Sequence, residues 1–131
     1  MTNRMPSAPY PASPGREHGP VFSWFREHDG LIYTSGHASV DVDDNSRSPG
    51  DLLHEARATL QNLRRTLEVA GSAMDKVLRV TVYLTDMNQY AAFNRLYAEF
   101  FPGPKVPART CVEVTRLPFN FKVEIDVVAH K

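Results

Sequence analysis

The chain has 131 residues, 42% of them hydrophobic, which suits one globular domain with a single core and leaves too little for two. Fifteen Lys and Arg balance fifteen Asp and Glu, so the formal net charge is zero and there is no electrostatic case for general binding to nucleic acid or to an anionic membrane. The single cysteine, Cys111, cannot form an internal disulfide, and no apolar run is long enough for a signal peptide or a membrane span, so the default compartment is the cytoplasm.

Residues 1–19 carry Pro6, Pro9, Pro11 and Pro14 among small and polar residues and read as an extended or mobile arm, with one domain following over 20–131. Val21–Phe25 reads as a strand, the Asp29-Gly30 pair as a hairpin turn, and Leu31–Gly36 as the partner strand. Ala38–Val42 reads as a third short strand after a bend at Gly36. Ser48 and Pro49 then read as the N-cap and first residue of a helix. Leu52, Ala56, Leu60, Leu63, Leu67 and Ala70 recur along it at three- and four-residue steps until Gly71 closes it.

Val77–Leu84 carries bulk on both sides, with Leu78, Val80, Val82 and Leu84 on one and Arg79, Thr81 and Tyr83 on the other, as a central strand does. Asp86 caps a second helix whose apolar stripe is Tyr90, Phe93, Tyr97 and Phe101, stopped by Pro102-Gly103-Pro104. The predicted order is therefore β-β-β-α-β-α-β-β, an α+β fold in which right-handed crossovers place both helices on one face of one mixed sheet. The other face, with Val, Thr, Phe and Trp side chains, is left uncovered and calls for a partner.

The last two predicted strands carry the candidate chemistry. In Thr110–Val114, Val112 and Val114 share one face, while Cys111 and Glu113 share the other with Arg109. In Lys122–Ala129, Val123, Ile125, Val127 and Ala129 form an apolar face, opposite Lys122, Glu124 and Asp126. Paired as a hairpin through Leu117–Asn120, the two strands would bring an arginine and carboxylates onto one polar face, a site for a small carboxylate with an acid or base beside it. From periodicity alone, an ordinary surface ion pair accounts for the same residues.

PARTCVEVTRLP followed by KVEIDVVA resembles the C-terminal signature of the Rid family of enamine/imine deaminases, formerly called the YjgF family. LIYTSGHASVD, EARATLQNLRRTLEVAGSAMDKVLRVTVYLTDM and FNRLYAEFF fall in the order and spacing that family shows, so the likeness runs from Gly19 to Ala129. It implies a chorismate mutase-like subunit, a homotrimer with sites in the clefts between subunits, and cofactor-free hydrolysis of 2-imino acids of the 2-iminopropanoate or 2-iminobutanoate type to 2-keto acids and ammonia. By the same resemblance, Arg109 clamps the substrate carboxylate with help from the backbone N–H of Cys111, Glu124 activates water, and Asn94, Ser35 and Gly36 complete the cleft.

Two departures bear on substrate choice. The family's tyrosine after Gly-Pro is Val21 here, and its glutamine after Thr-Ser-Gly is His37. Both positions are expected in the cleft, with altered preference toward longer or differently polar imines, as in breakdown of aminoacrylate or aminomuconate. The histidines are scattered without metal-ligand spacing, and neither a phosphate-cradling loop nor a nucleophile elbow is present. A rival reading is a catalytically silent trimeric module that binds a small molecule or a protein, against which retention of both Arg109 and Glu124 weighs. A ribonuclease or translation inhibitor is weaker still, since no basic surface interleaved with aromatics accompanies the zero net charge.

Overall fold

A computed structural model describes residues 21–131; the expected arm over residues 1–19 lies outside the described residues. The chain forms β1 (Phe25–His28), β2 (Leu31–Thr34), α1 (Leu52–Val69), β3 (Val77–Leu84), α2 (Tyr90–Phe100), β4 (Ala108–Glu113) and β5 (Val123–His130). One mixed five-stranded sheet has the order β1-β2-β5-β3-β4, in which only β3 and β4 run parallel. Both helices pack on the same face of it, against Val80, Val82, Leu84, Val123, Ile125 and Val127.

The first strand sits further along the chain than expected, while the turn falls at Asp29-Gly30 as expected. His28 pairs with Leu31, and Asp29 and Gly30 both have positive φ, the two-residue turn whose twist suits antiparallel strands. Counting back from that turn leaves 21–24 outside the ladder, and Trp24 instead joins Phe121 in a second, smaller core. Ala38–Val42 is not a strand. Ala38, Val40 and Val42 do alternate inward, but onto Trp24 and Phe121, and the backbone makes only isolated bridges, His37 to Ile125 and Val40 to Arg47. The observed order is therefore β-β-α-β-α-β-β.

The larger correction concerns β4 and β5, which do not form a hairpin. The β3-α2-β4 crossover lays β4 parallel to β3 at the sheet edge, and β5 returns on the other side of β3, between it and β2. On β3, a register shift between Val77 and Arg79 turns Leu78 out, leaving it 48% exposed rather than in the core row. The open face of the sheet carries Tyr33, Thr81, Tyr83, Val112, Glu124 and Asp126, with no tryptophan among them.

Helix α1 starts three residues later than expected. Asp51, not Ser48, is its N-cap, accepting at 2.8 Å from the His54 N–H. Ser72 donates back to the Leu67 carbonyl at 2.8 Å, which ends the helix at Gly71 as expected. Asp86 accepts from Asn88 N, capping a short 3₁₀ turn that leads into α2.

A buried carboxylate ties α1 to the sheet. Glu55 is 1% exposed, and its two oxygens accept from the backbone N–H of Lys122 at 2.8 Å and of Gly50 at 3.1 Å. The Lys122 ammonium lies 3.4 Å from the same carboxylate and donates to the Gly50 carbonyl at 2.7 Å. Glu55→Ala would strand both N–H groups and should cost about 2–4 kcal/mol of unfolding free energy in urea titrations, with Glu55→Gln, which keeps one acceptor, costing less.

Candidate functional site

Strand register assigns every candidate side chain to a face. Val80, Val82 and Leu84 point into the helix-covered core; their β4 partners Arg109, Cys111 and Glu113 therefore share that face, while Tyr83 pairs with Glu124 on the open one. Within one chain, Arg109 and Glu124 lie on opposite sides of the sheet. The polar face expected to hold both does not exist in the monomer, because β3 separates the strands and the two residues occupy alternate positions.

Arg109 is cradled by one stripe of α2. Its Nη1 donates to Asn94 Oδ1 at 2.8 Å and its Nη2 donates to the Tyr90 hydroxyl at 2.8 Å. The guanidinium carbon lies 4.8 Å from the centre of the Tyr97 ring and 5.5 Å from that of Tyr90. Residues 90, 94 and 97 are spaced i, i+4, i+7, so they fall on one helical face. All these partners are neutral. Among the described residues Arg109 forms no salt bridge, although it is half-buried.

Tyr90 and Tyr97 were legible in the sequence only as an apolar stripe. Tyr90 is instead 39% exposed and turned to Arg109, and the buried Tyr97 hydroxyl has no hydrogen-bond partner among the described residues. Burial pushes the Tyr97 phenol up to about 12, against the opposing pull of the Arg109 charge. Burial likewise raises the Cys111 thiol against the same charge, so its sulfur is a protonated thiol at neutral pH, not an activated nucleophile.

The remaining candidate residues lie across the sheet. Val21, Phe22, Ser35, Gly36, Pro118 and Glu124 line an open cleft of about 330 Å³. A Cβ built on Gly36 would come within 2.5 Å of Glu124 Oε2, so only glycine lets the carboxylate lie against this backbone. Ser35 is spoken for: its N–H donates to the Trp24 carbonyl at 3.0 Å and its hydroxyl to the Ser23 carbonyl. Burial raises the Glu124 carboxyl above its ordinary range, and the neighbouring Asp126 charge adds to the effect. Of the lining residues the sequence did not single out for the cleft, Phe22 comes from the segment before β1 and Pro118 from the 115–121 turn, which has Phe119 and Asn120 at positive φ and Arg47 stacked 3.5 Å over the Phe119 ring.

Of the two departures from the Rid pattern, only Val21 lines the cleft. His37 is fully buried beside Trp24, with Nδ1 2.9 Å from the Ser35 carbonyl and Nε2 2.7 Å from Thr66 Oγ1. A carbonyl only accepts, so Nδ1 carries the proton and Nε2 takes the Thr66 hydroxyl. The site reading of His37 is therefore corrected to a core histidine, its backbone bridged to Ile125 so that the ring points away from the cleft. Among the described residues, no three His, Cys, Asp or Glu side chains gather as metal ligands would.

Desolvation drops the His37 pKa from 6.5 to about 4, against the raising effect of its bond to Ser35. The unfolded chain then binds the extra proton first, so stability is full above pH 6.5 and is lost as the pH falls toward 4. Wild type should lose on the order of 2 kcal/mol between pH 7 and pH 5 from this residue, and His37→Gln should lose correspondingly less. Urea midpoints at the two pH values measure the difference; an equal drop in both proteins would mean another group titrates.

Residues 20–131 match the family model described as Endoribonuclease L-PSP. A RutC family protein of Pyrococcus horikoshii is 40% identical over 101 residues, 77% of this chain and 79% of that protein. Among solved structures, YyfA of the Rid protein family from Yersinia pestis matches with a TM-score of 0.81 at 30% identity, over 100% of this chain and 96% of that one. TdcF from E. coli, solved with bound serine, matches with a TM-score of 0.80 at 29% identity, over 100% and 96%. With a family model covering all but the first residues and this architecture shared along the full length of solved Rid proteins, the chain belongs to the Endoribonuclease L-PSP family, that of the Rid, YjgF and RutC proteins.

Proposed function

We propose that this protein hydrolyses reactive 2-imino and 2-enamino acids to 2-keto acids and ammonia, in clefts shared between the subunits of a homotrimer. Membership of the family supports imine or enamine deamination in general. The observation that carries the reading to this chain is Arg109. A half-buried guanidinium held, among the described residues, only by neutral oxygens and ring faces keeps its charge uncompensated there, which is costly unless an anion arrives to use it. The anion that fits its planar fork is a carboxylate. Serine bound to E. coli TdcF is a small α-carboxylate of the same kind.

Water supplies the rest of the reaction. It adds to the electrophilic carbon of the protonated imine while a carboxylate takes one of its protons, giving a carbinolamine; that proton passes to nitrogen, the C–N bond breaks as the hydroxyl gives its proton to the carboxylate, and a keto acid and ammonia leave. Glu124 suits this task because its raised proton affinity lets it both accept and return a proton nearer neutral pH than an ordinary glutamate. Gly36, having no Cβ, leaves room for its carboxylate, and Val21, Phe22 and Pro118 give the neighbouring wall an apolar character. No cofactor is required by this chemistry.

Since Arg109 and Glu124 sit on opposite faces of one sheet, a substrate touching both must lie between two copies of the chain. The open sheet face, with Tyr33 44% exposed and Val112 39% exposed, supplies apolar surface for that assembly. The family's name favours a second reading, RNA cleavage. The neutral net charge gives RNA little to bind, and among the described residues no helix is long and apolar enough to cross a membrane.

Keto-acid release from 2-iminobutanoate generated in situ tests the reaction. Arg109→Lys should keep the fold but lose the bidentate grip, lowering kcat/KM roughly a hundredfold, or about 3 kcal/mol. The wild-type acid limb of kcat/KM should lie above the ordinary glutamate range, near pH 4.3 in unperturbed carboxyls, and should vanish in Glu124→Gln. Each variant alone should be nearly inactive, yet a refolded equimolar mixture should recover about a quarter of wild-type activity, because random assembly pairs an intact Arg109 with an intact Glu124 in that share of shared clefts. No recovery would place the whole site in one chain or remove Glu124 from it.

A further inference from the structure

Tyr90 is the most exposed of the three α2 residues that hold Arg109, and its hydroxyl keeps unused hydrogen-bonding capacity. Its hydroxyl oxygen accepts from Arg109 Nη2 at 2.8 Å, so the proton on that oxygen is free to point elsewhere, and among the described residues no acceptor takes it. Asn94 uses its side-chain oxygen on Nη1 at 2.8 Å in the same way, and is half-buried. Tyr97 lies beneath the guanidinium, buried, with its hydroxyl away from any partner. Tyr90 opens α2, is 39% exposed, and comes close enough to present its O–H beside the charge it helps to hold.

We propose that Tyr90 is a carboxylate-binding residue: its oxygen accepts from Arg109 while its O–H donates to the carboxylate docked on Arg109. This deepens the reading that Arg109 grips an α-carboxylate and rests on it. Two of the five guanidinium N–H groups are committed to Asn94 and Tyr90, leaving three for the ligand. A carboxylate taking two of them has lone pairs to spare on the oxygen nearer Nη2, where the Tyr90 proton lies. The third bond is charge-assisted on both sides, since the arginine polarises the phenol and the ligand is an anion. Selectivity follows. A ligand that carries a neutral ester or amide in place of the carboxylate loses both the salt bridge and the strong acceptor, and the site should discriminate against it through Tyr90 as well as Arg109.

The test separates this role from general support of the fold and from the hydrolytic reading itself. Binding of 2-oxobutanoate, a stable 2-keto acid, and of its methyl ester is measured by NMR titration of wild type, Tyr90→Phe and Arg109→Lys. Tyr90→Phe keeps the ring against Arg109 and removes only the hydroxyl. It should weaken acid binding about tenfold, leave the weaker ester binding unchanged, and in turnover raise KM for a 2-imino acid with kcat within about twofold. Equal weakening of acid and ester would mean that Tyr90 merely supports the site, and would overturn the proposal. Full affinity in Tyr90→Phe together with loss in Arg109→Lys would overturn it while leaving the arginine clamp standing. Absence of acid binding by wild type would overturn the clamp and the proposal together. Acid binding that depends on Tyr90 in a protein that releases no keto acid from imines would uphold the proposal and sink the hydrolase reading.

Discussion

The structure depends on the register of β3. That strand holds β4 on one side and β5 on the other, so a single set of backbone hydrogen bonds fixes which way Arg109, Cys111, Glu124 and Asp126 point. A slip of one residue in either pairing would exchange the core row with the polar row and is opposed by burial of six aliphatic side chains, each worth on the order of 2 kcal/mol. The Glu55 carboxylate reinforces the same register from the helix layer, since it binds the Lys122 N–H one residue before β5 begins and two before Glu124. Helix, strand and candidate site are thus tied at one point.

From that register come two unfinished halves. On the helix side, Arg109 is half-buried and, among the described residues, bonded to neutral partners; on the open side, Glu124 is partly desolvated, close against Gly36 and raised in proton affinity. Each would be poor design in a monomer that did nothing with it, because an uncompensated charge away from bulk water costs stability. Under the proposed function the two features would face each other across one cleft between copies of the chain. Neither half contains the other's chemistry.

The second small core gives the cleft its wall. Trp24, Ala38, Val40, Val42 and Phe121 pack together under the 35–48 segment and the 115–121 turn, so the residues at the cleft rim hang from a buried anchor instead of a free loop. His37 belongs to that anchor. Its neutral ring joins Ser35 to α1 through Thr66, coupling the glycine that faces Glu124 to the long helix by two short hydrogen bonds. The departure at this position alters what supports the cleft, whereas Val21 alters the cleft surface itself.

The sequence by itself determined the elements whose signals are local: the 3.6-residue stripe of α1, the Asp29-Gly30 turn with its two positive φ angles, and the alternation that sorted β4 and β5 into faces. It also singled out Arg109, Glu124 and Asn94, through a motif whose spacing survives in one dimension. Only the tertiary structure decided which strands pair, because pairing is a contest between distant segments that no window of residues records. That contest moved β3 between β4 and β5, put the residues of an expected hairpin site on opposite faces, and left Ala38–Val42 in a side core without a ladder. It likewise sent His37 inward and Tyr90 outward. A histidine's burial and a tyrosine's partner depend on what other elements bring to within 3 Å of them, and the residue's own neighbours in sequence do not carry that information.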